Sequence, residues 1–364
     1  MAAAVCWDER FATHDMGRGG LYLPVGGLVE EDVFVDNTAR IVRTRNLLAS
    51  SGVDGRVHMV TPRPATLDEL LRVHSEEHLR RVREGDSGDP YTPADARSYE
   101  LAVLSAGSAL TAVELVLGGG VDVAHAMLRR SGHHASRDAA LGFCLFNNCA
   151  IAAAAARSVH GLERVAVVDV DAHHGNGTEA LFYSDPYVLT VSIHQDRSFP
   201  VDTGGVESIG ADDGLGFNVN VNLPAGVGDP GYHDALDRLV LPILGEFAPE
   251  LLIVACGVDA NLFDPLARLG LTAAGFAGIA ARLLAVAEEV CGGRLVSVQE
   301  GGYSHVYAPF CWLAFIETIA RLQLHDDPFE QFVAGQATCR ELAPWQVDAN
   351  DATRRALAPY WKTL

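Results

Sequence analysis

The sequence predicts an α/β fold: one domain spanning residues 1–364, with a central, mostly parallel sheet covered by helices on both faces. Two observations carry that prediction. From about residue 120 onward, short apolar runs alternate with stretches of helical periodicity, and polar, reactive side chains follow the ends of several of those runs. The runs at 121–126, 165–170, 188–193, 251–256 and 295–298 have the length and composition of buried strands, while 147–157, 232–247, 272–290 and 307–322 are patterned as helices. Parallel neighbours need a long crossover, usually a helix, so this alternation implies a parallel sheet sandwiched between helices. The first 120 residues add strand candidates at 4–7 and 57–60, and helix candidates at 67–73, 76–84 and 94–117. No solenoid repeat is present, and no Pro/Gly/Ser-rich linker divides the chain.

Composition narrows the function classes. A formal net charge of −20 disfavours contact with phosphate backbones, so no nucleic-acid partner is expected, whereas a cationic substrate or simple solubility fits the surplus acid. The seven cysteines, Cys6, Cys144, Cys149, Cys256, Cys291, Cys311 and Cys339, are widely spaced without a C-x-x-C pair. Neither a disulfide framework nor a thiolate zinc knuckle is indicated, and a reducing cytoplasm is the expected location. No run of apolar residues approaches the roughly 20 needed to span a bilayer, and the N-terminus lacks the basic-then-apolar pattern of a leader. No membrane partner is expected.

In open parallel sheets, ligands bind outside the carboxyl ends of the strands. There the sequence places Asp171 and His173 after 165–170, Asp259 after 251–256, and Glu300-Gly301-Gly302-Tyr303 after 295–298. Asp171 and His173 stand two apart, so an extended backbone aims both side chains the same way, and Asp259 completes a set of two carboxylates and one imidazole. That set suits a divalent ion and leaves a coordination position open, as catalytic rather than structural sites do. Strand-end caps would also account for single members of it. His133 and His134, after Gly132, have the chemistry of a general base, which Asp169 could orient, although paired histidines also occur on ordinary turns. Tyr303 follows two glycines that permit close backbone approach; its hydroxyl could donate to a developing oxyanion, or it could simply pack.

Taken together, Gly132-His133-His134-Ala135, Gly142-Phe143-Cys144, Asp169-Val170-Asp171-Ala172-His173-His174-Gly175-Asn176-Gly177-Thr178, Asp259 with Asp264-Pro265, and Glu300-Gly301-Gly302-Tyr303 resemble the histone deacetylase superfamily in order and spacing. Asn176 resembles the class II branch and its bacterial relatives, as do the segments 23–27 and 307–311. The resemblance implies an arginase/deacetylase-like sheet of about eight strands and hydrolysis of an acylated amine. It implies Zn2+ at Asp171, His173 and Asp259, with Fe2+ or Co2+ suited to the same donors. His133 and His134 become the acid–base pair, Asp169 the partner of His133, and Tyr303 the group that polarises the scissile carbonyl. Gly142, Phe143, Phe199 and Leu266 become the substrate channel. Structural K+ is implied around Asp169, Asp171, His173 and Ser192, and around Phe182, Asp185 and Val188. Arginases use further carboxylates for a second ion; Gly175 and Asn261 stand in their places here, which implies one metal.

Several positions depart from the family pattern. Arg130 and Ser131 replace two prolines before Gly132, freeing the backbone beside the histidines. Ala172 and Gln299 also differ from the usual residues. Polyamine-selective relatives carry a glutamate where Leu266 stands, which tilts the substrate toward acetyl-lysine peptides, although Asp86 and Asp89 could supply acid instead. A small-molecule amide such as an acetylpolyamine is the alternative substrate. A catalytically silent acyl-amine binder is a further one, disfavoured by the presence of both histidines and Tyr303. Relatives of this kind suggest a homo-oligomer, with the loop at 23–27 shaping an interface or the channel rim.

Overall fold

The structure is a computed structural model describing residues 2–21, 23, 25–333, 335 and 341–364. Pro24 of the N-terminal loop and Cys339 lie outside the described residues. In chain order the elements are β1 (Ala3–Cys6), β2 (Arg18–Gly19), β3 (Asp32–Val33), α1 (Ala39–Ser50), β4 (His58–Val60), α2 (Leu67–Leu71), α3 (Glu76–Arg83), α4 (Ala96–Leu117) and β5 (Val123–Ala126). There follow α5 (Asn148–Ser158), β6 (Val165–Asp169), α6 (Asn176–Phe182), β7 (Val188–Gln195), β8 (Asn218–Leu223), α7 (Asp229–Ala235), α8 (Leu241–Phe247) and β9 (Leu251–Cys256). The chain closes with α9 (Ala273–Cys291), β10 (Leu295–Gln299), α10 (Ala308–Ile319), α11 (Glu330–Val333) and α12 (Pro344–Leu357).

Eight strands form one sheet in the order β4-β1-β5-β10-β9-β6-β7-β8, and every pairing in it is parallel. Its central strands are buried on both faces, which is why they read as near-continuous apolar runs. In β6 and β9, Val168, Leu252 and Val254 face one side and pack with Tyr232, Leu239 and Phe276. Val167, Ile253 and Ala255 face the other side, with Ile41, Leu104 and Ala152. Two short strands, β2 and β3, pair separately as a small antiparallel ribbon in the N-terminal loop.

Helix boundaries follow local chemistry. Asp95 caps α4 by accepting from Ser98 N, Asn147 caps α5 by accepting from Ala150 N, and Thr272 caps α9 by accepting from Gly275 N. Gly292, at φ +66°, ends α9 in a left-handed turn.

Four differences from the sequence reading have physical reasons. Strand β8 escaped it, because Asn218, Asn220 and Asn222 interrupt its apolar residues; the amides of Asn218 and Asn220 are buried against Glu179. The single helix expected at 232–247 is two helices joined by a π-helical turn over Leu236–Val240. Pro242, near the start of α8, has no N–H for the ladder, and the backbone widens just before it. Helices α1 and α12 were not expected at all. Finally, α4 spans 22 residues and is apolar enough by length and composition to cross a membrane. Most of it is instead buried against the sheet and α5, with Leu101, Leu104, Ala109 and Val113 in the core.

Candidate active site

The four loops that carry the chemistry leave four adjacent strands, β5, β10, β9 and β6, at their carboxyl ends. Strand β6 ends at Asp169, and the chain then bends, with Asp171 Oδ1 accepting from His173 N at 2.9 Å. A side-chain turn, rather than continued strand alternation, therefore brings Asp171 and His173 together. His173 Nδ1 lies 3.1 Å from Asp171 Oδ1 and 2.8 Å from Asp259 Oδ2. One donor atom from each of Asp171, His173 and Asp259 lies within 4.8 Å of the others, and all three residues are buried.

Backbone amides fix both carboxylates. Asp259 Oδ1 accepts from Ala172 N at 2.7 Å and Asp171 Oδ2 from Gly301 N at 2.8 Å. Glycine is required on two sides of this cluster. A Cβ on Gly257 would come within 2.1 Å of the Asp171 carboxylate, and one on Gly301 within 2.3 Å of Asp259. Burial and the neighbouring Asp171 push Asp259 up to about 7, whereas His133 and His173 hold Asp171 far below the usual range despite its burial. Carboxylates forced together without water are what a bound cation would relieve.

Beside this trio the rings of His133 and His134 lie with centroids 3.9 Å apart. Their outer nitrogens have different partners: His133 Nδ1 meets Asp169 Oδ2 at 2.8 Å, and His134 Nδ1 meets Asn176 Oδ1 at 2.8 Å. Burial opposes charge on both, but the Asp171 and Asp169 carboxylates outweigh it at His133 and hold that imidazole at about 10. Burial and the adjacent His133 push His134 well below 6.5. The carboxylates of Asp171 and Asp169 at one ring, and burial beside that ring at the other, thus set two adjacent imidazoles apart, one favoured charged and one neutral.

Tyr303 is buried. Its backbone N–H donates to Asp264 Oδ2 at 2.7 Å, and its ring packs at 5.7 Å from Phe143 and 5.5 Å from the Arg40 guanidinium. Burial and the carboxylates of Asp171 and Asp259 raise its hydroxyl well above 10, so it stays a donor. Phe143, Phe34, Tyr303 and Leu266 form one apolar cluster, and Phe199 packs edge-on to His134 at 5.0 Å and to His173 at 6.3 Å. Gly142, at φ +55°, admits no side chain, since a Cβ would come within 2.5 Å of the His134 ring and 2.7 Å of Phe199. Phe143 follows at φ +70°, a conformation held by Thr92 Oγ1, which accepts its N–H at 2.8 Å.

All eleven residues singled out in the sequence therefore gather at one sheet edge. Asp86 and Asp89 are otherwise employed. Asp86 accepts from Gly88 N, and Asp89 Oδ2 accepts from Gly142 N, so Asp89 supports the channel wall instead of standing free as an acid. Phe34 and Arg40 were missed. Neither lies in a motif, and both reach the site from the N-terminal loop and α1, far away in sequence.

A parallel sheet with this constellation at its strand ends defines a hydrolase of the arginase/deacetylase fold. The histone deacetylase domain matches residues 35–319, and the chain belongs to that family of amidohydrolases. It is 43% identical over 339 residues to a histone deacetylase-like amidohydrolase of Pseudomonas aeruginosa, covering 91% of this chain and 89% of that one. It is 36% identical over 348 residues to the human polyamine deacetylase HDAC10, covering 91% of this chain and 50% of that protein. The solved HDA15 HD domain superposes with a TM-score of 0.86 at 29% identity, covering 100% of this chain and 96% of that one.

Proposed function

We propose that the chain is a zinc-dependent deacylase that hydrolyses the amide of an acylated amine, with acetyl-lysine in proteins as the representative substrate. One observation carries this reading: the convergence of Asp171, His173 and Asp259 beside two adjacent imidazoles, each anchored at Nδ1, by Asp169 and by Asn176. Two carboxylates and one imidazole fit a borderline divalent ion, so these three residues would hold Zn2+, and Fe2+ or Co2+ suit the same donors. Bound there, zinc supplies Lewis acidity toward the carbonyl and lowers the pKa of a coordinated water toward ~7.

The chain's own groups divide the remaining work. His134, kept neutral, accepts the proton of the attacking water and returns it to the departing amine. His133, kept charged by Asp169 and Asp171, steadies the negative charge that develops beside it. Tyr303 donates its hydroxyl to the carbonyl oxygen as that oxygen becomes an anion. Phe143, Phe199 and Leu266 exclude water and admit a linear acyl-amine. The reading includes structural K+ at backbone carbonyls around Asp169 and its register partner Ser192, and around 182–188.

A second reading is hydrolysis of a small cationic amide such as an acetylpolyamine. A cavity of about 720 Å³ adjoins Tyr303 and Leu266, and Glu30 and Asp32 lie on its wall. Leu21 lines it too, which supports a role for the N-terminal loop in shaping the channel rim. Mass-spectrometric turnover by zinc-loaded protein separates the readings, using acetyl-lysine peptides, longer acyl-lysines, acetylputrescine and acetylspermidine, with Tyr303→Phe as control. Acyl loss from peptides, abolished in the control, is the expected result. Turnover confined to acetylpolyamines would replace the first reading with the second, and no turnover of any amide would overturn both.

A further inference from the structure

Behind the tandem histidines lies a second group of donors that the hydrolytic reading does not use. A ligand atom from each of His133, Cys144 and Glu300 lies within 4.8 Å of the others, and all three residues are buried. Cys144 follows the channel residues Gly142 and Phe143, while Glu300 begins the loop leaving β10, so two separate loops converge on the His133 ring. Among the described residues no arginine or lysine pairs with the Glu300 carboxylate. One of its oxygens, Oε2, accepts from Gly132 N at 2.6 Å and His133 N at 3.3 Å. The other faces only the Cys149 thiol, at 3.7 Å. Burial raises Glu300 to about 7, and the His133 imidazole beside it offsets only part of that burial.

We infer that His133, Cys144 and Glu300 form a second, inhibitory metal site, selective for thiophilic divalent cations such as Zn2+, Co2+ and Cd2+. The chemistry of the donors sets that selectivity. A thiolate beside an imidazole and one carboxylate is softer than the Asp171–His173–Asp259 set, so it holds Zn2+ or Cd2+ and rejects Mg2+ and Ca2+. Binding takes Cys144 as the thiolate and releases its proton to solvent. It also displaces a proton from one nitrogen of His133 to solvent and ligates there, so that ring cannot exist as the imidazolium. Excess metal therefore stops turnover without displacing the first ion. The loss of turnover rests on the role given to His133 above; the binding itself does not.

Cobalt separates the two sites, because the first contains no sulfur. Metal-free protein is titrated with Co2+ while near-ultraviolet absorption, bound cobalt and turnover are followed together. The first equivalent should restore turnover with no thiolate-to-cobalt charge-transfer band; the second should bring that band and abolish turnover. Cys144→Ser should lose the band, keep its turnover at one equivalent, and need at least tenfold more Co2+ or Zn2+ to be inhibited. The inference is overturned if no second equivalent binds, if it binds without a thiolate band, or if the band survives in Cys144→Ser. The wild-type band needs no variant, so the test stands even if that substitution prevents folding. A band that appears with no loss of turnover keeps the site and refutes the role assigned to His133.

Discussion

Two clusters of buried charge flank the loop that carries His133 and His134, and they have opposite signs. On one side Asp36 alone faces Arg40, Arg129 and Arg130, all four of them fully buried. On the other side Asp169, Asp171, Asp259 and Glu300 surround His133 and His173. The cationic cluster is tied to backbone carbonyls, although Asp36 Oδ2, Arg129 Nε and two Arg130 nitrogens have no hydrogen-bond partner. Arg129 donates to the carbonyls of His14 and Asp36, Arg40 to that of Glu300, and Arg130 to that of Pro93. Backbone amides hold the carboxylates of the anionic cluster as well, but there the carboxylates crowd one another. The first cluster gathers cations on a single carboxylate; the second gathers the donors of the proposed metal site. The difference separates a structural cluster from a chemical one, and Arg40, bonded at Asp36 and lying over the Tyr303 ring, joins them.

The sharpest way to break this contrast is Asp36→Ala, which strips three buried guanidinium groups of the carboxylate they share. Loss of about 3–5 kcal/mol in urea unfolding is expected, and a variant of normal stability would mean the arginines are not held by that charge. Wild-type protein carries the matching acid limit. Three arginines overcome the burial of Asp36 and lower it to about 2 from 3.8, so its contribution is complete above pH 3.8 and disappears as pH falls through 2.

On the anionic side, loading the metal-free protein with zinc at a thousandfold excess over Kd should add about 4 kcal/mol, read as a higher Tm. Equal Tm values with and without zinc would sink the metal assignment. Tyr303→Phe should leave the fold intact and reduce kcat by roughly 10²–10³, the range for loss of one oxyanion donor. Retained activity would place the oxyanion elsewhere.

Glu300 has the opposite pH response to Asp36. Its folded value of about 7 exceeds the ordinary 4.5, so in metal-free protein its contribution is complete below 4.5 and lost as pH rises through 7. Acidification across that window should stabilise the metal-free chain by up to about 3 kcal/mol from this group, and Glu300→Gln should flatten the slope. The smallest effect belongs to Arg130→Met. Burial lowers this guanidinium to about 10, its Nε and one terminal nitrogen lack hydrogen-bond partners, and Asp36 keeps two other arginines. Stability should change by less than about 1 kcal/mol or rise, and a large loss would show that the third arginine is as necessary as the carboxylate.

These clusters also show what a sequence can disclose. Asp171, His173, Asp259 and Tyr303 were legible because each follows an apolar strand, and parallel topology sends such ends to a common edge. The Asp36–arginine cluster was not. Asp36 and Arg129 are 93 positions apart, and although Arg129 opens the motif of the tandem histidines, Asp36 stands in none. Strands β6 and β9 were legible from their unbroken apolar runs. Strand β8 was hidden because two of its asparagines, Asn218 and Asn220, donate to Glu179, a partner that only the folded chain supplies. Arg130 and Ser131 registered in the sequence as missing prolines and implied a freer loop. The structure instead ties that loop with side chains: Arg130 N donates to Ser105 Oγ, and Glu300 takes the amides of Gly132 and His133.

Because Gly257 and Gly301 form two walls of the carboxylate cluster, its boundary there is main chain, and no residue larger than hydrogen fits at either position. Random mutation can lose that site but has almost no way to retune it. The loops bearing Glu30, Phe34 and Leu266 carry no such restriction. Divergence among descendants of this chain, or a laboratory search for new substrates, will therefore succeed at the rim and fail at the floor.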